Sequence, residues 1–354
     1  GRLYGRGTAD DKGAAVVALY CLKALKDEKV KCVRKARAIF GAGEEIASDD
    51  LKQYFQREAL PELAFTPDAE YGVCNREKGI LHVELSAPAD GSRLGSLHGG
   101  TVRNAVAASA RAEARCTAEE CEALEALSKK MDGKFSFQWS GGVLTAECAG
   151  RAAHAMEPQK GRNAAARLVR LFSSCFGGEA LGALWSFVDQ KIGLELDGSS
   201  LGLRREDAVS GPLTVNLGVA EQDNGVCRAV LDIRYPVTAD GEEIFERLRA
   251  AAGAYGVKAR VLAEQKPLFV PEDTPLIRML KGAYETVTGG RARLYGTGGG
   301  TYARSLQNRG VAFGPVFPGE ENHLHDADEF IEIEKFMLHA QICLEALFRM
   351  ATQK

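Results

Sequence analysis

The sequence predicts an α/β fold with a mostly parallel sheet, interrupted by an inserted α+β domain. Three observations carry that expectation. Short apolar strands alternate with helices at the start of the chain. Near Gly79 the pattern changes to strands in which polar and apolar residues alternate. After about Lys266 the strand–helix alternation returns. The expected boundaries are residues 1–79 plus 267–354 for the α/β domain and 80–266 for the insert, about 187 residues long. A chain of 354 residues suits two domains at roughly 150 residues each.

The elements follow in order. Asp10 to about Leu25 reads as a helix, with Asp10 and Asp11 suited to its start and Val16, Val17, Tyr20, Leu22 and Leu25 as its apolar stripe. Ala36–Gly41 reads as a short apolar strand, Asp49 to about Arg57 as a helix and Leu63–Phe65 as a second strand. In the insert, Leu81–Leu85 and Val143–Cys148 alternate as half-exposed strands do, and a helix follows at about Gly161–Cys175. Arg228–Tyr235 alternates again, before a helix from Gly241 to about Tyr255. The closing part carries a helix at Thr274–Thr288, a glycine cluster, a strand at Val311–Val316 and a helix from about Ile331 to Met350.

Composition excludes several classes. Hydrophobic residues make up 45% and charged residues 26%, which is a globular balance and not that of a disordered, collagen-like or coiled-coil chain. The net charge of −3 offers no basic excess for nucleic acid or an anionic membrane. No apolar run approaches the ~18 residues of a membrane span. Nine scattered cysteines include no Cys-x-x-Cys pair, which argues against a disulfide framework and a cysteine zinc site. With no signal-peptide pattern at its start, the chain is expected in the reducing cytoplasm.

Acidic motifs fall at the ends of expected elements: Gly5-Arg6-Gly7-Thr8-Ala9-Asp10-Asp11-Lys12-Gly13, Gly41-Ala42-Gly43-Glu44-Glu45 and Thr66-Pro67-Asp68-Ala69-Glu70. Near the C-terminus comes His323-Leu324-His325-Asp326-Ala327-Asp328-Glu329. Singly, these read as a helix cap, a solvated pair and a surface histidine. Together at strand ends, where α/β sheets gather ligands, the carboxylates would repel one another unless protons or cations held them. Histidine with carboxylates suits zinc or manganese. No strand-GxGxxG-helix pattern points to a dinucleotide.

These motifs, with Glu77-Lys78-Gly79 and Gly298-Gly299-Gly300-Thr301-Tyr302, resemble the dinuclear-zinc peptidases that include aminoacylases, glutamate carboxypeptidases, desuccinylases and dipeptidases. Within that family the sequence is most similar to the bacterial PepV-type (Xaa-His) dipeptidases and their carnosinase-like relatives. The resemblance implies a zinc-peptidase catalytic domain and an inserted lid. It implies that Asp10 bridges two divalent ions, zinc first, with manganese or cobalt as alternatives. Glu45 and His325 complete one site, Asp68 serves the other, and Glu44 is the general base for a bridging water. In the lid, His154 in Gly150-Arg151-Ala152-Ala153-His154 is the oxyanion donor and Asn104 a second polar contact. Arg234 in Asp232-Ile233-Arg234 and the backbone of Gly298, Gly299 and Gly300 hold the substrate's C-terminal carboxylate. His82, His98 and His339 are expected to be surface or core residues.

The resemblance also implies a small peptide or N-acyl amino acid as substrate, and a monomer whose enlarged lid supplies its own histidine. The expected reaction is dipeptide hydrolysis. An N-acyl-amino-acid deacylase, such as a succinyl-diaminopimelate desuccinylase, and a non-catalytic metal- or peptide-binding homologue are the alternatives. The family carries a further His-x-Asp motif upstream of the bridging aspartate, and the sequence starts at Gly1, short of it. An N-terminally incomplete version of an active enzyme is therefore expected, with a natural short form as the alternative. This chain alone is expected to hold one metal tightly and to turn over poorly.

Overall fold

The computed structural model describes residues 1–44, 49–321, 323–324 and 327–353. The chain forms two compact units, Gly1–Glu77 with Leu268–Lys354, and Lys78–Pro267. It runs through β1 (Arg2–Tyr4), α1 (Lys12–Asp27), α2 (Asp49–Tyr54), β2 (Ala64–Thr66), β3 (Ala69–Glu70) and β4 (Val73–Glu77). The second unit holds β5 (Gly79–Pro88), β6 (Leu94–Gly99), β7 (Ser109–Arg115), α3 (Ala118–Ser128), β8 (Lys134–Ser140), β9 (Val143–Ala149), α4 (Ala164–Phe176) and α5 (Ala183–Phe187). It continues with β10 (Glu206–Asp207), β11 (Gly211–Pro212), β12 (Thr214–Asp223), β13 (Val226–Tyr235), α6 (Gly241–Gly253) and β14 (Lys258–Gln265). The first unit resumes with β15 (Leu268–Phe269), α7 (Pro275–Thr288), β16 (Leu294–Thr297), β17 (Gly310–Ala312), β18 (Pro315–Val316), β19 (Phe330–Glu332) and α8 (Ile333–Thr352). No helix among the described residues is long and apolar enough to cross a membrane.

In the first unit, α1 buries Ala14, Val17, Cys21 and Leu25, and Val17 and Cys21 pack on Cys343 of α8. Val16 and Tyr20, expected in the buried stripe, face outward, and Tyr20 is 69% exposed. Two apolar stripes overlap on this helix, and the one that meets α8 is the one buried. The sheet is mixed. Strands β2 and β17 pair in parallel, as do β4 and β16, while β4 runs antiparallel to β15 and to β17. The expected strand Ala36–Gly41 is not a strand, because none of the described residues pairs with it in a ladder. The expected strand Val311–Val316 is two, β17 and β18, divided at Phe313 and Gly314. Gly314 has a φ of +73°, and a Cβ there would lie 2.5 Å from the Tyr71 ring, so the break demands glycine.

The core of this unit gathers Tyr71, Val73, Leu268, Ile277, Leu280, Phe313, Ile342 and Ala346. Tyr71 is fully buried and its hydroxyl lies within hydrogen-bond distance of His339 Nδ1 at 2.8 Å. Burial raises the Tyr71 pKa, so the hydroxyl stays neutral. Burial also pulls His339 down to about 4.

The second unit is built on one eight-stranded sheet in the order β14-β5-β13-β12-β6-β7-β9-β8, antiparallel throughout. Strands β5 and β13 pair without a slip from Gly79↔Tyr235 to Pro88↔Val226. The period of two puts Leu81, Val83 and Leu85 into the core with Leu168 and Phe172 of α4. It puts His82, Glu84 and Ser86 on the opposite face. Local chemistry sets the helix starts. Thr117 and Glu120 form a capping box on α3. The Asn163 side chain accepts from Ala166 N at the start of α4 and donates to the Leu217 carbonyl of β12.

His339 makes the first unit acid-sensitive. Its folded-state value lies below the ordinary 6.5, so the stability it lends is present above pH 6.5 and is lost as the pH falls toward 4. The loss is about 3 kcal/mol. In urea titrations from pH 7 to 4, His339→Gln should lack this component of the slope, and identical slopes for both proteins would refute it.

Candidate active site

The acidic loop before α1 is held by one buried carboxylate. Glu329 lies immediately before β19, and its side chain is 1% exposed. Its Oε2 accepts from Gly7 N at 2.9 Å and Arg6 Nη1 at 3.0 Å, and its Oε1 accepts from Ala9 N at 3.0 Å and Asp10 N at 3.1 Å. Burial alone would raise this carboxyl, but the backbone N–H bonds and Arg6 outweigh it and hold the group below the usual range. The loop therefore wraps around a permanent anion that fixes the backbone of Asp10. Gly7, at φ +86°, lets the chain turn tightly enough to do so.

The next residue, Asp11, is the N-cap of α1 but makes no side-chain cap bond. Its Oδ1 is buried and has no hydrogen-bond partner among the described residues. Burial, then the charges of Asp10 and Glu44, push its carboxyl up to about 7. A buried oxygen with no partner among the described residues, in a field of carboxylates, is what a divalent cation relieves; carboxylate oxygens suit manganese, and with a histidine nitrogen zinc as well. The residues present thus fit a metal. Among the described residues no group of three or more His, Cys, Asp or Glu side chains forms a ready metal cage. Glu45 and His325 lie outside the described residues, and Asp68 lies in the turn between β2 and β3.

Glu44 follows a braced turn. The Asp50 carboxylate accepts from Ala42 N at 2.7 Å, Gly43 N at 2.9 Å and the Tyr302 hydroxyl at 2.8 Å. A Cβ on Gly41 would meet the Tyr302 oxygen at 2.0 Å, so the turn fits against Tyr302 only without a side chain. Partial burial, then the bond to Asp50, raises Tyr302 to about 12. Tyr302 closes the glycine cluster, whose base is held separately. Thr301 Oγ1 donates to Glu77 Oε1 at 2.8 Å, and Arg304 Nε lies 2.7 Å from Glu77 Oε2. Glu77 is fully buried, and desolvation outweighs these partners and raises its carboxyl. Gly299 N already donates to Thr297 Oγ1 at 3.0 Å.

In the second unit, residues 104–106 and 153–155 pair as short antiparallel segments: Ala155 N donates to Asn104 O, Val106 N to Ala153 O, and Ala105 bridges His154. Met156 N donates to His154 Nδ1 at 3.1 Å. That ring nitrogen is therefore the acceptor, and in neutral His154 the proton sits on Nε2. Desolvation, then the charge of Arg234, lowers the His154 pKa and favours this neutral donor. Arg234 is 3% exposed and pairs side-on with Asp232, Nε to Oδ1 at 2.6 Å and Nη2 to Oδ2 at 2.7 Å. The structure thus gathers Asp10, Asp11 and Glu44 in one unit, and His154, Asn104 and Arg234 in the other.

Comparison with known proteins then decides the family. The model for peptidase family M20/M25/M40 matches residues 1–349. The chain belongs to this family. YtjP of Bacillus subtilis (strain 168), which carries a provisional dipeptidase name, is 33% identical over 360 residues, covering 99% of this chain and 77% of that protein. Among solved structures, an M20 family metallo-carboxypeptidase, Sso-CP2 from Sulfolobus solfataricus, is similar at a TM-score of 0.54 and 16% identity, covering 98% of this chain and 77% of that one. Human carnosine dipeptidase 1 is similar at 0.50 and 12%, covering 98% and 72%. At these identities the two likenesses show the fold.

In this M20/M25/M40 peptidase several site residues escaped the sequence reading. Glu329, Tyr302 and Asp232 all lay inside the motifs, but nothing in spacing says that a motif residue braces a neighbour. His82, expected at the surface or in the core, is a buried residue whose Nε2 lies 3.0 Å from Asp232, a contact the spacing did not reveal. Glu329→Ala leaves two buried N–H groups and one half-buried N–H group without an acceptor and should cost about 3 kcal/mol in urea unfolding. Because such bracing groups orient ligands, zinc affinity by competition titration should fall about tenfold to a hundredfold, with Glu329→Gln intermediate.

Proposed function

We propose that this peptidase hydrolyses the amide bond of dipeptides with the aid of two divalent metal ions, zinc first. The observation that carries the reading is the buried Asp11 oxygen, which has no hydrogen-bond partner among the described residues and feels the charges of Asp10 and Glu44, in a chain of a peptidase family. Asp10 would bridge the ions, Glu45 and His325 would complete one site and Asp68 would serve the other. When bound, such a pair lowers the pKa of water and acts as a Lewis acid.

The remaining steps fall to side chains. Glu44 takes the proton from the attacking water and passes it to the leaving amine. Neutral His154 donates its Nε2–H to the carbonyl oxygen as negative charge develops there, a role worth several kcal/mol, and Asn104 adds a second polar contact. Arg234 holds the C-terminal carboxylate, because a guanidinium matches a carboxylate with two parallel bonds. The backbone N–H groups of Gly298, Gly299 and Gly300 assist. For Gly299 this requires exchange of its bond to Thr297. The size of the second unit, Lys78–Pro267, supports an enlarged lid that serves its own site, hence a monomer. Nine free thiols support a cytoplasmic setting.

The test is metal content together with hydrolysis of a dipeptide panel beside an N-succinyl amino acid, on this chain and on a version extended upstream. Dipeptide turnover that disappears with chelation and returns with zinc is the expected result. Preference for the N-succinyl substrate would make the protein a deacylase, and metal binding with no turnover in either version would make it a binding homologue. Glu44→Gln should lower kcat by about a hundredfold to ten-thousandfold with metal content unchanged.

A further inference from the structure

The second unit contains a buried polar row that the proposed chemistry does not use. The ladders place His82 of β5 opposite Asp232 of β13, and Asp232 opposite Asn216 of β12. All three are at least nine-tenths buried, and Asp232 is completely so. Asp232 Oδ2 contacts His82 Nε2 at 3.0 Å and Arg234 Nη2 at 2.7 Å, while Oδ1 takes Arg234 Nε at 2.6 Å. Asn216 Nδ2 donates to the carbonyl of Ala105, the residue that bridges His154. One row of the sheet thus ties together the arginine and the paired segments that carry Asn104 and His154.

The chemistry of the row is directional. A carboxylate only accepts, so His82 Nε2 carries the proton. Its other ring nitrogen, Nδ1, is buried without a partner among the described residues, so none of these competes for the orientation of the ring. Side-on pairing engages Arg234 at Nε and Nη2 and sets the plane of the guanidinium. The edge formed by the two Nη atoms is the one that pairs end-on with a carboxylate. A long, rotatable arginine gains little specificity until its plane is fixed, and a small misplacement is costly.

We propose that Asp232, braced by His82, is the positioning residue that fixes the Arg234 guanidinium for the C-terminal carboxylate of the substrate. The inference rests on the carboxylate-binding role of Arg234 and adds the residues that make it effective. Asp232 does not touch the substrate. It acts through Arg234, and its loss leaves the hydrolytic groups in place.

The experiment compares a dipeptide with its C-terminal amide on the metal-loaded full chain, as kcat and KM. It adds the Kd of a reduced-bond analogue (CH2–NH for CO–NH) as free acid and as amide, which needs no turnover. Asp232→Asn should raise KM and the analogue Kd for the free acid about tenfold to a hundredfold, with kcat within about threefold and the amide unchanged. His82→Leu should shift the same way by less, and His82→Gln, which keeps a donor, should restore most of the loss. Emission of buried Trp185 verifies that each variant is folded, and the His82 pair decides the matter if Asp232→Asn is not. Equal losses on acid and amide, or no loss on either, would overturn the inference. Arg234→Lys separates the two readings. If it abolishes the preference for the acid while Asp232→Asn and His82→Leu do not, only the positioning role falls. If it leaves the preference intact, the carboxylate-binding role falls and the inference goes with it.

Discussion

A carboxylate taken out of water must be answered by donors or by a cation, and both units are organised by how that demand is met. Glu329 is answered by three backbone N–H groups and Arg6, which bends the chain into the loop that presents Asp10. Glu77 is answered by Thr301 and Arg304, which fixes the base of the glycine cluster. Asp232 is answered by His82 and Arg234. Asp11 differs, with one buried oxygen that no group among the described residues answers.

Asp11 contrasts most sharply with Glu329 and Asp232, whereas Glu77 keeps its partners but is still raised by desolvation. Glu329 and Asp232 are held below the ordinary carboxylate range by their donors, so both remain anions through neutral pH. Asp11 is driven up to about 7 by burial and by the charges of Asp10 and Glu44, so as an anion it lacks compensation. Under the proposed function, that uncompensated charge is what would draw a cation. Glu329 sits one step behind and holds the backbone of Asp10.

The same division explains why a motif holds more residues than the reaction uses. In Gly298–Tyr302 the last two residues look backward into the scaffold, Thr301 to Glu77 and Tyr302 to Asp50. In Asp232-Ile233-Arg234 the aspartate serves the arginine, and Ile233 between them packs into the core. Alternation in the strand makes this arrangement possible, since residues two apart share a face.

By itself the sequence determined the class of the fold, most helices and the motifs that mark the family, because periodicity and motif composition are local properties of the chain. Helices α4, α6, α7 and α8 and strands β5, β9 and β13 lie close to where their patterns place them. Only the tertiary structure decided which stripe of α1 is buried, since that depends on where α8 lies. It decided that Ala36–Gly41 finds no ladder among the described residues and that β4 pairs both in parallel and antiparallel, since a strand exists only through its neighbours. It also decided that Glu329 braces Asp10 and that His82 braces Asp232. Those pairs lie 319 and 150 residues apart in the chain, and no local pattern records a contact at that separation.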